Sequence, residues 1–184
     1  MIERLKEKAI ELGAFKAGIV DASEIKTDAY FRKMCADNMC GNYGRSYMCP
    51  PDIGPIEELM DKVKTFDKVL VYQTVGELED SYDFEGMMEA GARHNLLAQK
   101  LWDFTEEMGR SDEDVLHLGA GGCRICSVCG KKTGDSCRNP KRAMGSLEAY
   151  GVNVSQLAAQ AGMNYINGQN TVTYFGAVFF KEKK

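Results

Sequence analysis

The chain is poor in histidine: only His94 and His117 occur among its 184 residues. Neither sits in an H-E-x-x-H, and no Ser-His-Asp grouping can be drawn around them, so hydrolase chemistry has no support. Long apolar runs are also missing, and no stretch approaches the ~20 residues that span a bilayer. The opening, Met1-Ile2-Glu3-Arg4-Leu5-Lys6-Glu7-Lys8, is the start of an amphipathic helix with no apolar signal core. Charge of one sign is not in excess. The 23 Lys and Arg against 27 Asp and Glu leave a net −4, which gives no overall pull toward nucleic acid or an anionic membrane. There is no internal repeat and no low-complexity tract. A cytoplasmic protein is expected, in a compartment that keeps thiols reduced.

Cysteine is what the chain does have. Seven is an odd number, so a pure disulfide framework would leave one thiol over. Cys123, Cys126 and Cys129 recur at intervals of three, and Cys137 follows eight residues later, with Pro140 beyond it. A C-x2-C-x2-C run is the spacing bacterial ferredoxins use to wrap a [4Fe–4S] cluster. Structural zinc more often splits its ligands into two separated pairs. The expected ligands of one cluster are therefore Cys123, Cys126, Cys129 and Cys137, with zinc as the alternative. The preceding Gly119, Gly121 and Gly122 offer bare backbone N–H groups that could hydrogen-bond cluster sulfides. They are not a dinucleotide fingerprint, because Arg124 stands where its last glycine would be.

A second group, Cys35, Cys40 and Cys49, follows a C-x4-C-x8-C spacing. Three thiolates could hold a second cluster with one open iron. Alternatively Cys49, which precedes Pro50, could join Cys123, Cys126 and Cys129 in a single cluster, since a cysteine before proline serves the other cluster in two-cluster ferredoxins. Buried free thiols are the third reading.

The pattern around these loops alternates strands and helices. Ile2, Leu5, Ala9 and Leu12 repeat at helical spacing. A short strand at 17–20 follows, and residues 35–51 read as irregular loop. Pro55 opens a helix reaching about Thr65. Strands are expected at 68–75, 115–118 and 171–180, the last apolar on both faces and hence central. A long helix spans roughly 84–108 with Leu97, Leu101, Phe104 and Met108 on one face. His94 shares that face, either as a ligand or proton donor beside a cluster or as an ordinary core histidine. Two short helices are expected near 145–150 and from a Ser155 cap to Gly162. The sum is an α/β single-domain sandwich over residues 1–184, with a mixed β-sheet covered by helices and the cysteine loops at one edge.

Several of these segments together resemble a prokaryotic family of predicted metal-binding proteins of unknown function. They are Cys35-x4-Cys40-x2-Tyr43-Gly44-x4-Cys49-Pro50-Pro51, then Gly122-Cys123-x2-Cys126-x2-Cys129, then Cys137-Arg138-x-Pro140, and Ser146-Leu147-Glu148-Ala149-x-Gly151-Val152-x-Val154. Tyr47 and Asn153 depart from the family, which often has Trp and Asp there. The resemblance implies a metal, with iron–sulfur the expected kind, and no particular reaction.

The function expected from the sequence is an iron–sulfur protein for electron transfer or redox chemistry, with room for catalysis at an open iron. The alternatives are a zinc-stabilised interaction module, or a metal- or redox-responsive regulator without turnover. One local charge feature bears on partners. Arg124, Lys131, Lys132, Arg138, Lys141 and Arg142 face a single acid, Asp135, so residues 123–142 carry +5 while the rest carries −9. Such an island could dock an acidic redox partner of flavodoxin or ferredoxin type.

Overall fold

The computed structural model describes residues 1–182. Its five strands are β1 (Lys16–Asp21), β2 (Lys68–Glu77), β3 (Val115–Gly119), β4 (Gly145–Ser146) and β5 (Thr171–Phe180). They lie in the order β1-β2-β5-β3-β4. Neighbours run antiparallel except β3 and β4, which are parallel, so the sheet is mixed. The helices are α1 (Ile2–Glu11), α2 (Tyr30–Ala36), α3 (Ile56–Val63), α4 (Phe84–Glu107), α5 (Gly130–Thr133) and α6 (Val154–Gln160). No helix among the described residues is long and apolar enough to cross a membrane.

Strand alternation divides the core between two faces. In β2, Val69 and Val71 join α3 and α6 through Leu59, Val63, Leu157 and Ala158. Leu70 and Tyr72 point the other way, to α1 and α4 through Leu5, Ala9, Leu97 and Leu101. β5 is the middle strand, and its residues from Phe175 to Phe180 are all buried. Each fully buried Leu or Phe contributes roughly 1.5–3 kcal/mol.

Three expectations are corrected. Residues 145–150 are not a helix: Gly145 and Ser146 pair with Leu118 and Gly119, and only Glu148–Tyr150 coil into a 3₁₀ turn. The segment expected to be loop from residue 35 begins inside α2, which buries no residue and so shows no apolar stripe. The cap of α6 is Asn153 rather than Ser155, its side chain accepting from the Gln156 N–H at 3.1 Å.

Two of these details position the site. β3 and β4 form one edge of the sheet, and the connection between them is the loop that carries Cys123, Cys126, Cys129 and Cys137. The loop of Cys40 and Cys49 runs between α2 and α3 and folds against it.

Candidate metal centre

The loop after β3 is braced from within. Gly130 lies so close to the returning chain that a Cβ would stand 2.5 Å from the Ser136 carbonyl oxygen and 2.9 Å from that of Asp135, so no side chain fits there. Arg138 donates to the Val128 carbonyl at 2.8 Å and pairs with Asp135 at 3.0 Å. Thr133 donates to the same Asp135 carboxylate at 2.7 Å. Arg142 anchors the far end to α4, reaching Asp103 at 2.6 Å and Glu106 at 2.9 Å while lying over the Trp102 ring.

Two contacts tie the first cysteine loop to this one. The Tyr47 hydroxyl donates to the Asp135 carbonyl at 2.8 Å, and Lys131 pairs with Asp52 at 2.6 Å. Between the loops lies a cleft lined by all four cysteines of the second loop, Cys123, Cys126, Cys129 and Cys137, with Ser46, Tyr47 and Met48 opposite. Each of the four is partly exposed, and all seven cysteines are free thiols.

The surroundings of the sulfurs differ. Burial works against a thiolate at Cys129, yet the N–H groups of Tyr47 and Lys131, the Ser46 hydroxyl and the Lys132 charge outweigh it. Its thiol therefore lies below the ordinary range. Asn139 donates to the Cys126 sulfur at 3.2 Å. Cys49 is buried, and burial pushes its thiol up to about 11 despite a hydrogen bond from Ser46. The Cys40, Cys35 and Cys123 charges raise it further. Cys35 is raised by burial and then by Cys40, against the lowering pull of Arg32. Cys40 is exposed.

The donor chemistry fits a thiolate-ligated group: soft sulfurs around one cleft, with N–H donors aimed at them. The four border the cleft rather than meeting at a point. Among the described residues no three Cys, His, Asp or Glu side chains are drawn together closely enough to hold a metal ion.

Some predicted roles move. Gly119 and Gly121 line an adjoining pocket with His94, and Gly122 lines both that pocket and a space it shares with Cys123, Cys126 and Cys129. At Cys129 the sulfur-directed N–H groups come from Tyr47 and Lys131. His94 points inward, with Nδ1 2.9 Å from the Thr74 hydroxyl, and burial lowers it to about 4. His117 belongs to the core, stacked on Trp102 at 4.5 Å and held 3.0 Å from Thr105 by Nε2. Sequence reading gave Ser46, Asn139 and Glu148 no individual role. Glu148, half-buried with its carboxyl raised by burial, adds its charge to the field at Cys35. The only signal for it was its place in the Ser146–Val154 segment.

A single sheet whose edge carries six free thiols on two facing loops, with Cys35 in the adjoining helix α2, is the architecture of a metal-binding protein. The chain belongs to the family described as predicted metal-binding protein (DUF2284), whose sequence profile matches residues 18–180. No curated protein and no solved structure matches it.

Proposed function

We propose that this protein holds a [4Fe–4S] cluster on Cys123, Cys126, Cys129 and Cys137 and serves electron transfer or redox chemistry in a reducing, cytoplasmic setting. The observation that carries this reading is the single cleft lined by these four thiols and no other cysteine. The C-x2-C-x2-C spacing supports it, because that dense run suits a cluster better than one ion. When bound, such a cluster supplies one-electron transfer, at a potential set by hydrogen bonds, charge and exposure.

The chain's own residues have distinct tasks. Cys129 is disposed to ionise and so to enter the site early. The Tyr47 and Lys131 N–H groups and the Asn139 amide donate toward ligand sulfurs, which stabilises added negative charge there. Ser46 and Tyr47 form the opposite wall of the cleft. Cys49, whose thiol feels the charge of Cys123, is the residue best placed to exchange into the ligand set. With Cys35 and Cys40 it could hold a second cluster open to a substrate. Zinc, the alternative, would leave a structural module without redox activity.

The test is anaerobic purification followed by an absorption spectrum and analysis of iron, acid-labile sulfide and zinc. Broad absorbance with matched iron and sulfide supports the reading. Colourless protein with stoichiometric zinc replaces it with the structural module.

A further inference from the structure

A second pocket adjoins the cysteine cleft and shares Cys123 with it. Its walls are Gly91, His94, Asn95 and Ala98 of α4, Met144, Gly145 and Tyr174, and the turn from Gly119 to Arg124. Small residues hold it open. A Cβ on Gly91 would come within 3.3 Å of the Tyr174 hydroxyl and 3.6 Å of the Arg124 guanidinium.

His94 is set into this pocket with little freedom. Its ring stacks on Tyr72 at 5.4 Å and packs against Tyr174 at 5.8 Å, while Nδ1 meets Thr74. His94 is only 3% exposed, and Nε2 has no partner within hydrogen-bonding geometry, although the Phe175 backbone lies near enough to favour the charged ring. A buried polar atom left unpaired is costly, so a group kept in this state is ordinarily there to meet a ligand or an ordered water.

The charge at the mouth identifies the ligand's sign. In the loop after β3, Lys131, Arg138 and Arg142 each pair with carboxylates. Arg124, in the pocket wall, has no ion-pair partner among the described residues. Neither have Arg45 and Lys132, which line the neighbouring cleft with Arg124 and Cys123. No Asp or Glu lines either space. Arg124 in the wall, a buried imidazole and a glycine turn make this pocket complementary to negative oxygen, and Arg45 and Lys132 in the neighbouring cleft add positive charge nearby.

We propose that this pocket binds a small oxyanion of carboxylate size, held by Arg124 and the His94 Nε2, beside Cys123. The pocket is built from α4, β3, β5 and the glycine turn, so the inference does not depend on which metal the cysteines hold. It places a ligand against the edge of the metal site, where a redox substrate or an exogenous ligand would stand.

Formate is the probe. The protein as purified, with its metal, is titrated with 13C-formate at constant ionic strength, and binding is read from the broadening of the formate resonance. Saturable binding at about 1 mM or tighter is expected. Arg124→Gln should weaken it at least about tenfold, the loss of one charge-assisted contact. His94→Gln should also weaken it. Gly91→Ala should abolish it without lowering the thermal midpoint, because alanine favours a helix over glycine. Lys141→Gln, an unpaired cation of the same loop outside the pocket, should leave binding unchanged. Absence of saturable binding overturns the proposal. So does binding indifferent to Arg124→Gln, or weakened equally by Lys141→Gln, which would mark a diffuse charge effect. If Gly91→Ala lowers the midpoint, the Arg124 and His94 variants decide.

Discussion

At the scale of single residues, the two histidines set a pH limit on the fold. Burial lowers His94 to about 4 and His117 to about 3, both beneath the ordinary value of 6.5. For His117 the nearby Arg142 charge adds to that effect. The unfolded chain therefore takes up protons first as pH falls. Stability is full above pH 6.5 and declines below it, until each folded pKa is passed. Each histidine costs up to about 1.4 kcal/mol per pH unit within that window. Urea denaturation should thus show a loss of about 4 kcal/mol between pH 7 and pH 5, and His117→Gln should remove about half of it. An unchanged slope in that variant would contradict the assignment. The cysteines divide by the same physics. In metal-free protein at pH 7, Cys129 should be alkylated well before Cys49, as peptide mass spectrometry would read. Ser46→Ala should slow Cys129. Equal rates at Cys129 and Cys49 would count against the environments described for them.

At the scale of elements, what could be read from sequence follows from where the signal resides. The apolar run Val69–Tyr72 in β2, the apolar length of β5 and the long stripe of α4 are local patterns, so their elements were legible within a few residues. β4 is two residues long and exists only because Leu118 and Gly119 lie beside it, a pairing that no local window contains. α2 escaped for the opposite reason. It buries no residue, and it is fixed by Asp28, which accepts from the Tyr30 N–H at 2.8 Å, and by Arg32, which donates to the Gly54 carbonyl at 2.8 Å. The cysteine spacing told which thiols share a loop. It could not tell that Ser46 and Tyr47 form the opposite wall of the cleft, since that depends on Tyr47 meeting Asp135 and Lys131 meeting Asp52 across 88 and 79 residues. The link from the cysteine loop to α4 is the element most open to test. Arg142→Ala removes two partly exposed ion pairs and the contact over Trp102, and should cost about 1 kcal/mol. It should also raise the rate of metal loss to a chelator. A variant with wild-type stability and wild-type metal retention would show that the tether is idle.

At the scale of the whole molecule, the charge island is smaller than its sequence implies. Three of its six cations are neutralised within the fold, leaving Arg124, Lys132 and Lys141 free of ion pairs among the described residues. Docking of an acidic redox partner would rest on these three together with Arg45. Association with a flavodoxin- or ferredoxin-type donor should slow as salt rises past ~0.1 M, where the Debye length is ~10 Å. Lys132→Glu with Lys141→Glu should slow it further and leave metal content intact. Electron delivery insensitive to salt and to that reversal would move the partner elsewhere.

The central claim is that the loop after β3 holds the metal through its four cysteines. Metal, iron and sulfide included, should be counted per chain in protein purified anaerobically, for the wild type and for Cys126→Ser, with Cys40→Ser as the comparison. The account predicts near-complete loss of the metal in Cys126→Ser, together with a lower unfolding midpoint because metal binding and folding are coupled. Cys40→Ser should retain the metal bound by that loop. Full metal content in Cys126→Ser would contradict the account.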